Sequence, residues 1–403
     1  MVRNVIITGV TSCENRGVEA LVASIAAGLH DHGEARIRVL TQTPMLDQEL
    51  LTPWGVECVA DPFVTSKSWT QYRPAETSEQ SRTRRDALME EADLLVATGG
   101  DIYTSDYGVS TPYLAAPIAA QSHGVPVAML AHSIGPFTHR EDAQAWLDVA
   151  EQCKVLTLRE RLSYRYVQEE LGLTAGKAQL TADPAFLLPA PPQQRVQALV
   201  TTAGIGPGEP YICVAPSRGI ARFRSLDEVA HDRALGRLID RLVTRWKIPV
   251  LLLPHVHDSR SHNDDRALVA ELAQHIGHPL VKAVTGPLTA SDYKGLAAAA
   301  DLVITERLHA AIGALSTRTP TVAIGYSQKF LGVFADTYGN DIDLDSVHLD
   351  VDRFVADEHS TERLLQGLQL PSMQQALTER VPELLERARE NFTLLAATSE
   401  VPA

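Results

Sequence analysis

The stretch Asp301-Leu-Val-Ile-Thr-Glu-Arg-Leu-His-Ala-Ala-Ile-Gly-Ala-Leu315, followed by Pro320-Thr-Val-Ala-Ile-Gly325, decides the fold class. Residues 302–304 form a short apolar run and read as a strand. Residues 307–315 read as a helix, and residues 321–324 as the next strand. The pattern repeats on both sides of this stretch. Upstream, residues 211–215, 250–253 and 280–281 read as strands, with helices at 235–245 and 265–275. Nearer the N-terminus, residues 5–10, 37–40, 94–97, 125–131 and 155–158 read as strands, and a helix lies near 18–29. The runs are almost continuously apolar, as parallel strands covered on both faces are. Strands alternating with amphipathic helices predict an α/β protein with helices on both sides of each sheet.

The alternation pauses between residues 187 and 210, a stretch that holds Pro189, Pro191, Pro192, Gly204, Gly206, Pro207, Gly208 and Pro210. This pause divides the chain into two Rossmann-like domains, residues 1–190 and 191–365. The tail, about 373–395, is rich in Leu, Glu, Arg and Ala. Residues 366–403 are therefore expected to form a C-terminal helix packing back on the body. Two α/β halves joined by a short linker are expected to face a cleft, with ligands beyond the carboxyl ends of the strands.

Composition narrows the function. The 403 residues are 45% hydrophobic and 21% charged, which gives ample material for cores. With 36 Lys and Arg against 50 Asp and Glu, the formal net charge is −14. So acidic a chain argues against nucleic acid or an anionic membrane as a broad-surface partner, although a few converging cations would still hold a small anion. Cys13, Cys58, Cys153 and Cys213 are far apart and form no CxxC pair, so neither a zinc ribbon nor a disulfide scaffold is expected. That pattern suits the cytoplasm. No apolar run reaches the roughly 20 residues of a membrane span, and the N-terminus reads as a strand rather than a signal peptide.

The chemistry-bearing residues lie just past strands. Arg307 and His309 fall in the first turn after residues 302–304, where a helix N-terminus favours an anion. Cations gain nothing from that dipole, so a bound phosphate or carboxylate would resolve the conflict. The structural alternative pairs Arg307 with Glu306 or Asp301. Lys329 follows the strand end at 321–324, and Arg159 follows 155–158. Each is either an anion clamp or a solvated or ion-paired side chain. In the first half, Asn15 is a good helix cap. Asp101, after Gly99-Gly100, can accept from a hydroxyl, and Tyr103 can offer an aromatic face. Residues 64–85, a long polar loop, read as a lid. His255-Val-His257-Asp258, with His262 nearby, has the spacing of metal ligands, but no Glu or Cys completes a catalytic zinc site.

The ordered series Asn15-Arg-Gly-Val-Glu-Ala20, Gly99-Gly-Asp101, Ser133-Ile-Gly-Pro-Phe137, Arg159-Glu-Arg-Leu-Ser163, Asp183-Pro184, Arg307-Leu-His309 and Gly325-Tyr-Ser-Gln-Lys329 resembles the polysaccharide pyruvyl transferase family. Two departures, Val18 in place of a usual Asp and Thr98 before only two glycines, lie in the N-terminal half.

The resemblance implies a fold like the GT-B glycosyltransferases. It also implies transfer of pyruvate from phosphoenolpyruvate to two hydroxyls of a saccharide or glycoside, giving a cyclic ketal and free phosphate. On that reading Arg159, Arg307, Leu308, His309 and Lys329 bind the donor, with His309 and Arg307 catalytic. Asn15, Asp101 and Tyr103 bind the acceptor. The residues fit: phosphoenolpyruvate needs several cations, and a histidine exchanges protons near neutral pH. No metal or other cofactor is called for, and the sequence leaves room for a homo-oligomer. The alternatives are a GT-B glycosyltransferase using a nucleotide sugar and a non-catalytic sugar- or nucleotide-binding module.

Overall fold

The computed structural model describes residues 3–66, 72–74, 79–107, 111–258 and 260–397. The chain forms two units, each built on a parallel sheet. The first comprises Met1–Cys13, Leu21–Leu187 and Leu384–Ala403; the second comprises Glu14–Ala20 and Leu188–Glu383.

In the first unit the strand order is Gln179–Leu180, Val155–Leu158, Val127–Ile134, Leu94–Ala97, Arg3–Thr8, Ala35–Thr41 and Val56–Ala60, with Gly100–Tyr103 pairing beside Val127–Ile134. All pairings in this sheet are parallel. Every residue of Val127–Ile134, Leu94–Ala97 and Val155–Leu158 is buried, which explains why these strands read as mainly apolar runs.

The second sheet has the order Val281–Ala283, Val250–Leu252, Ile212–Ala215, Leu302–Thr305, Thr321–Gly325 and His348–Asp350, again all parallel. Ile212–Ala215, Leu302–Thr305 and Thr321–Gly325 are consecutive, so their carboxyl ends lie side by side at roughly 4.8 Å per strand.

Three features differ from the sequence expectation. The stretch 187–210 holds the helix Gln193–Thr202. Pro189, Pro191 and Pro192 precede the helix, with Pro192 as the cap, and Gly204, Gly206, Pro207, Gly208 and Pro210 follow it, so they punctuate an element instead of forming a bare linker. Glu14–Ala20, expected with the first half, clusters with the second. The tail helix, Leu370–Ala397, passes from the second unit to the first after Glu383, one residue beyond Pro382. Its last turns dock through Asn391. That side chain accepts from Thr157 Oγ1 (2.6 Å) and Thr181 Oγ1 (2.9 Å) and donates to Ala182 O (2.9 Å).

Of the segment 64–85, residues 67–71 and 75–78 lie outside the described residues, so the lid expectation falls partly there. The remainder forms an antiparallel pair, Val64–Ser66 with Tyr72–Pro74, and the start of the helix Glu79–Glu90. Among the described residues no helix is long and apolar enough to cross a membrane.

Candidate active site

The second unit gathers its ionisable residues at the carboxyl edge of its sheet. Leu302–Thr305 ends, the chain bends at Glu306, Arg307 follows in extended backbone, and the helix Leu308–Ser316 begins. The helix starts later than the sequence suggested, because Thr305 Oγ1 accepts from Arg307 N (2.9 Å) and closes a turn first. Arg307 is thus the capping residue. Its side chain leaves before the helix and meets Asp265, with Nε on Oδ2 at 3.1 Å and Nη2 on Oδ1 at 2.6 Å. Asp265 is fully buried and also accepts from Arg218 N and Val256 N, both at 2.9 Å. The fork is therefore held rigidly by one edge. Arg307 Nη1 makes no hydrogen bond among the described residues and is available to an anion.

Glu306, one of the partners expected for Arg307, points elsewhere. Its buried carboxylate accepts from Ser217 N (2.7 Å) and lies 2.7 Å from His231 Nε2. Burial alone would lower the His231 pKa, but the Glu306 and Asp232 carboxylates win and raise it to about 10. His231 is therefore a buried imidazolium fixing the residue next to Arg307.

His309 is the second residue of the helix Leu308–Ser316, and Leu308 is buried at its start. A Cβ placed on Gly17 would lie 2.5 Å from His309 Nδ1, so only glycine lets the imidazole seat there. Gly17 N donates to Asn15 Oδ1 (3.0 Å), which fixes that backbone. Gly17→Ala is therefore expected to displace the His309 ring while the far-ultraviolet spectrum stays unchanged. The His309 imidazole resonances check this, and identical resonances in both proteins would contradict it.

Arg16 donates to Glu19 Oε2 (3.0 Å) and His257 Nδ1 (3.3 Å), while Glu19 Oε1 accepts from Ala290 N (3.0 Å). Arginine only donates, so His257 Nδ1 is the acceptor and its proton sits on Nε2, beside Pro254 O (3.0 Å) and Tyr293 Oη (2.8 Å). Burial and the Arg16 charge push the His257 pKa down to about 4. Burial and the charges of Arg307, His309 and Arg16 hold His255 well below its usual range. Both rings are thus neutral, packed against Tyr293. The histidine-rich loop is used as hydrogen-bonding support for Arg16, with His257 spent on protein partners.

Lys329 is the second residue of the helix Gln328–Tyr338, after the neighbouring strand Thr321–Gly325. Burial pushes its ammonium down to about 7, and Nζ lies 5.8 Å from the centre of the Tyr326 ring.

Arg159 belongs to the first unit. Its guanidinium is buried, with Nε on Ser133 Oγ (2.8 Å) and Nη1 on Asp183 Oδ2 (2.7 Å), while Nη2 has no partner among the described residues. The motif residues Ser133, Arg159 and Asp183 thus form one constellation. Beside it, Ala131 adopts φ 50° at a register shift in Val127–Ile134, a left-handed backbone costing roughly 1–2 kcal/mol. This strained residue precedes His132, a buried histidine that the sequence reading did not single out. Burial and Arg159 push its pKa down to about 3.

The acceptor expectations change. Tyr103 is fully buried, its ring 4.8 Å from that of His132, and so offers no exposed face to a sugar. Asn15 sits in the second unit, bridged to Val256, and its amide oxygen is engaged by Gly17. Asp101 stays in the first unit, half-buried on the strand Gly100–Tyr103. The structure does not gather the three on one unit.

Residues 15–328 match the profile of the polysaccharide pyruvyl transferase family. The chain belongs to that family. Among curated proteins it is 27% identical over 258 residues to the amylovoran biosynthesis protein AmsJ of Erwinia amylovora. That match covers 61% of this chain and 59% of AmsJ, so the chain spans under two thirds of that relative. Two solved structures share the fold. A glycosyltransferase from Rickettsia africae has a TM-score of 0.60 at 11% identity, with each chain fully covered. A putative UDP-N-acetylglucosamine 2-epimerase from Listeria monocytogenes has a TM-score of 0.59 at 12% identity, with 93% of this chain and 91% of that one covered. The two parallel-sheet domains are thus those of the GT-B fold.

Proposed function

We propose that this protein transfers pyruvate from phosphoenolpyruvate to two hydroxyls of a saccharide acceptor, forming a cyclic ketal and releasing phosphate. The observation carrying this reading is the Arg307-Leu308-His309 element: a rigid cation with an unengaged Nη1 beside a histidine seated at a helix start. Family membership supports the same chemistry.

In the proposed reaction one acceptor hydroxyl adds to the central enol carbon, and a proton enters the methylene carbon. The second hydroxyl then replaces the phosphate, which leaves with the other hydroxyl proton. Arg307 and Lys329, both in the second unit, hold the donor's charges, and His309 exchanges the proton. The chemistry draws only on side chains of this chain and calls for no metal.

Arg307→Ala is expected to weaken phosphoenolpyruvate binding roughly 10- to 100-fold, the worth of one charge-assisted hydrogen bond. Calorimetry checks this, with a melting curve to confirm that Asp265, left without its partner, has not unfolded the variant. Arg307→Lys keeps the charge without the fork and should fall between. Unchanged affinity in both variants would remove Arg307 from the donor site.

A further inference from the structure

Arg222 lies on the short helix Arg218–Phe223, after the strand Ile212–Ala215. Arg218 N, at the start of that helix, donates to the same Asp265 that holds Arg307. Across the helix sits Asn263, 3.2 Å from where a Cβ on Gly219 would be. Asn263 and Arg260 together occupy the Asp258 carboxylate, at 2.8 Å and at 2.9 and 2.6 Å.

Arg222 is thus surrounded by a network of charges but enters no pair in it. Its Nε and Nη2 are buried and have no hydrogen-bond partner among the described residues, and its guanidinium lies over the Phe223 ring at 5.1 Å. Burial first, and then the cations Arg260 and Arg307, disfavour its charge, opposed by the carboxylates of Asp258 and Glu228. Two buried guanidinium N–H groups without an acceptor, next to other cations, are costly. A tetrahedral oxyanion would satisfy both at once.

We propose that Arg222 is a further donor-binding residue that holds a phosphate group beside Arg307, an inference that rests on the pyruvyl-transfer reading. It would grip the leaving phosphate through Nε and Nη2, with Phe223 keeping the fork in plane.

The test compares the full chain with Arg222→Met, which keeps the stem over Phe223 and removes the N–H groups. Binding of inorganic phosphate and of phosphoenolpyruvate is measured by calorimetry, and melting temperature without ligand. The expected result is a roughly 10- to 100-fold loss of affinity for both ligands, with a melting temperature equal to or above wild type. Wild-type affinity in the variant overturns the Arg222 assignment and leaves the pyruvyl-transfer reading standing. A lower melting temperature accompanying lost affinity makes Arg222 structural and overturns it equally. Arg222-dependent binding of phosphate without any of phosphoenolpyruvate keeps the anion site and rejects the pyruvyl donor. A wild type that binds neither ligand overturns both.

Discussion

His309→Gln is expected to keep the fold and much of the phosphoenolpyruvate affinity while losing about 10²–10⁴-fold in turnover, the usual worth of a positioned acid–base group. His309 is the second residue of its helix, close enough to Gly17 that any side chain there would collide with Nδ1. A ring held this firmly suits proton transfer, which fails when donor and acceptor drift apart. Glutamine can hydrogen-bond from a similar place but cannot carry a proton near neutral pH. His309→Ala removes both abilities and should be no better. The geometry also removes an apparent obstacle. Residues two apart on a helix point about 200° apart, which would keep Arg307 and His309 from one ligand. Arg307 precedes the helix in extended backbone, so that constraint does not apply. Near-normal turnover in His309→Gln would make His309 a binding residue only.

The second large effect is on stability. His231→Gln should cost about 3–5 kcal/mol, because it leaves the Glu306 carboxylate buried without its counter-ion. The loss should depend on pH. The folded protein raises the His231 pKa to about 10, so it holds this proton more tightly than the unfolded chain, where histidine titrates near 6.5. The contribution is fully present below about pH 6.5 and fades as pH rises towards 10. Lys329 acts in the opposite sense, since its lowered pKa favours the folded state as pH rises above about 7. That contribution is common to both proteins and cancels in their difference. Denaturant unfolding of wild type and His231→Gln across this range should give curves that converge with rising pH. Parallel curves would show that His231 is not a buried cation.

The strands were the most legible part of the chain. Residues 94–97 and 155–158 fall on the observed strands to the residue, because both are buried on both faces and almost entirely apolar, Thr157 being the one polar residue. Boundaries were less legible where a side chain intervened, as when Thr305 Oγ1 delays the helix after Leu302–Thr305. The stretch 187–210 hid the helix Gln193–Thr202, because prolines before a helix and glycines and prolines after it have the composition of a loop, although the units do divide at its start, between Leu187 and Leu188.

At the site, Arg307, His309 and Lys329 were visible as polar residues just past apolar runs. Their partners were not. Asp265 is 42 residues from Arg307 and opens a helix of its own, so its sequence context reads as an ordinary helix start. His231 lies 75 residues from Glu306, in the first turn of an amphipathic helix. Arg222 resembled any helical surface arginine; only the structure shows its N–H groups buried and unmatched. Tyr103 was misjudged because an aromatic after a glycine pair looks the same in sequence whether it faces a ligand or a core. The motif series fared better, since Ser133, Arg159 and Asp183 meet through hydrogen bonds across 26 and 24 residues.

The most direct test of pyruvyl transfer is release of phosphate from phosphoenolpyruvate, measured with and without a panel of saccharide acceptors, alongside nucleotide release from nucleotide sugars. The account predicts phosphate release that depends on a saccharide, with the acceptor gaining the mass of one pyruvate less one water, and no nucleotide release. Saccharide-dependent release of nucleotide, with phosphoenolpyruvate left intact, would contradict it.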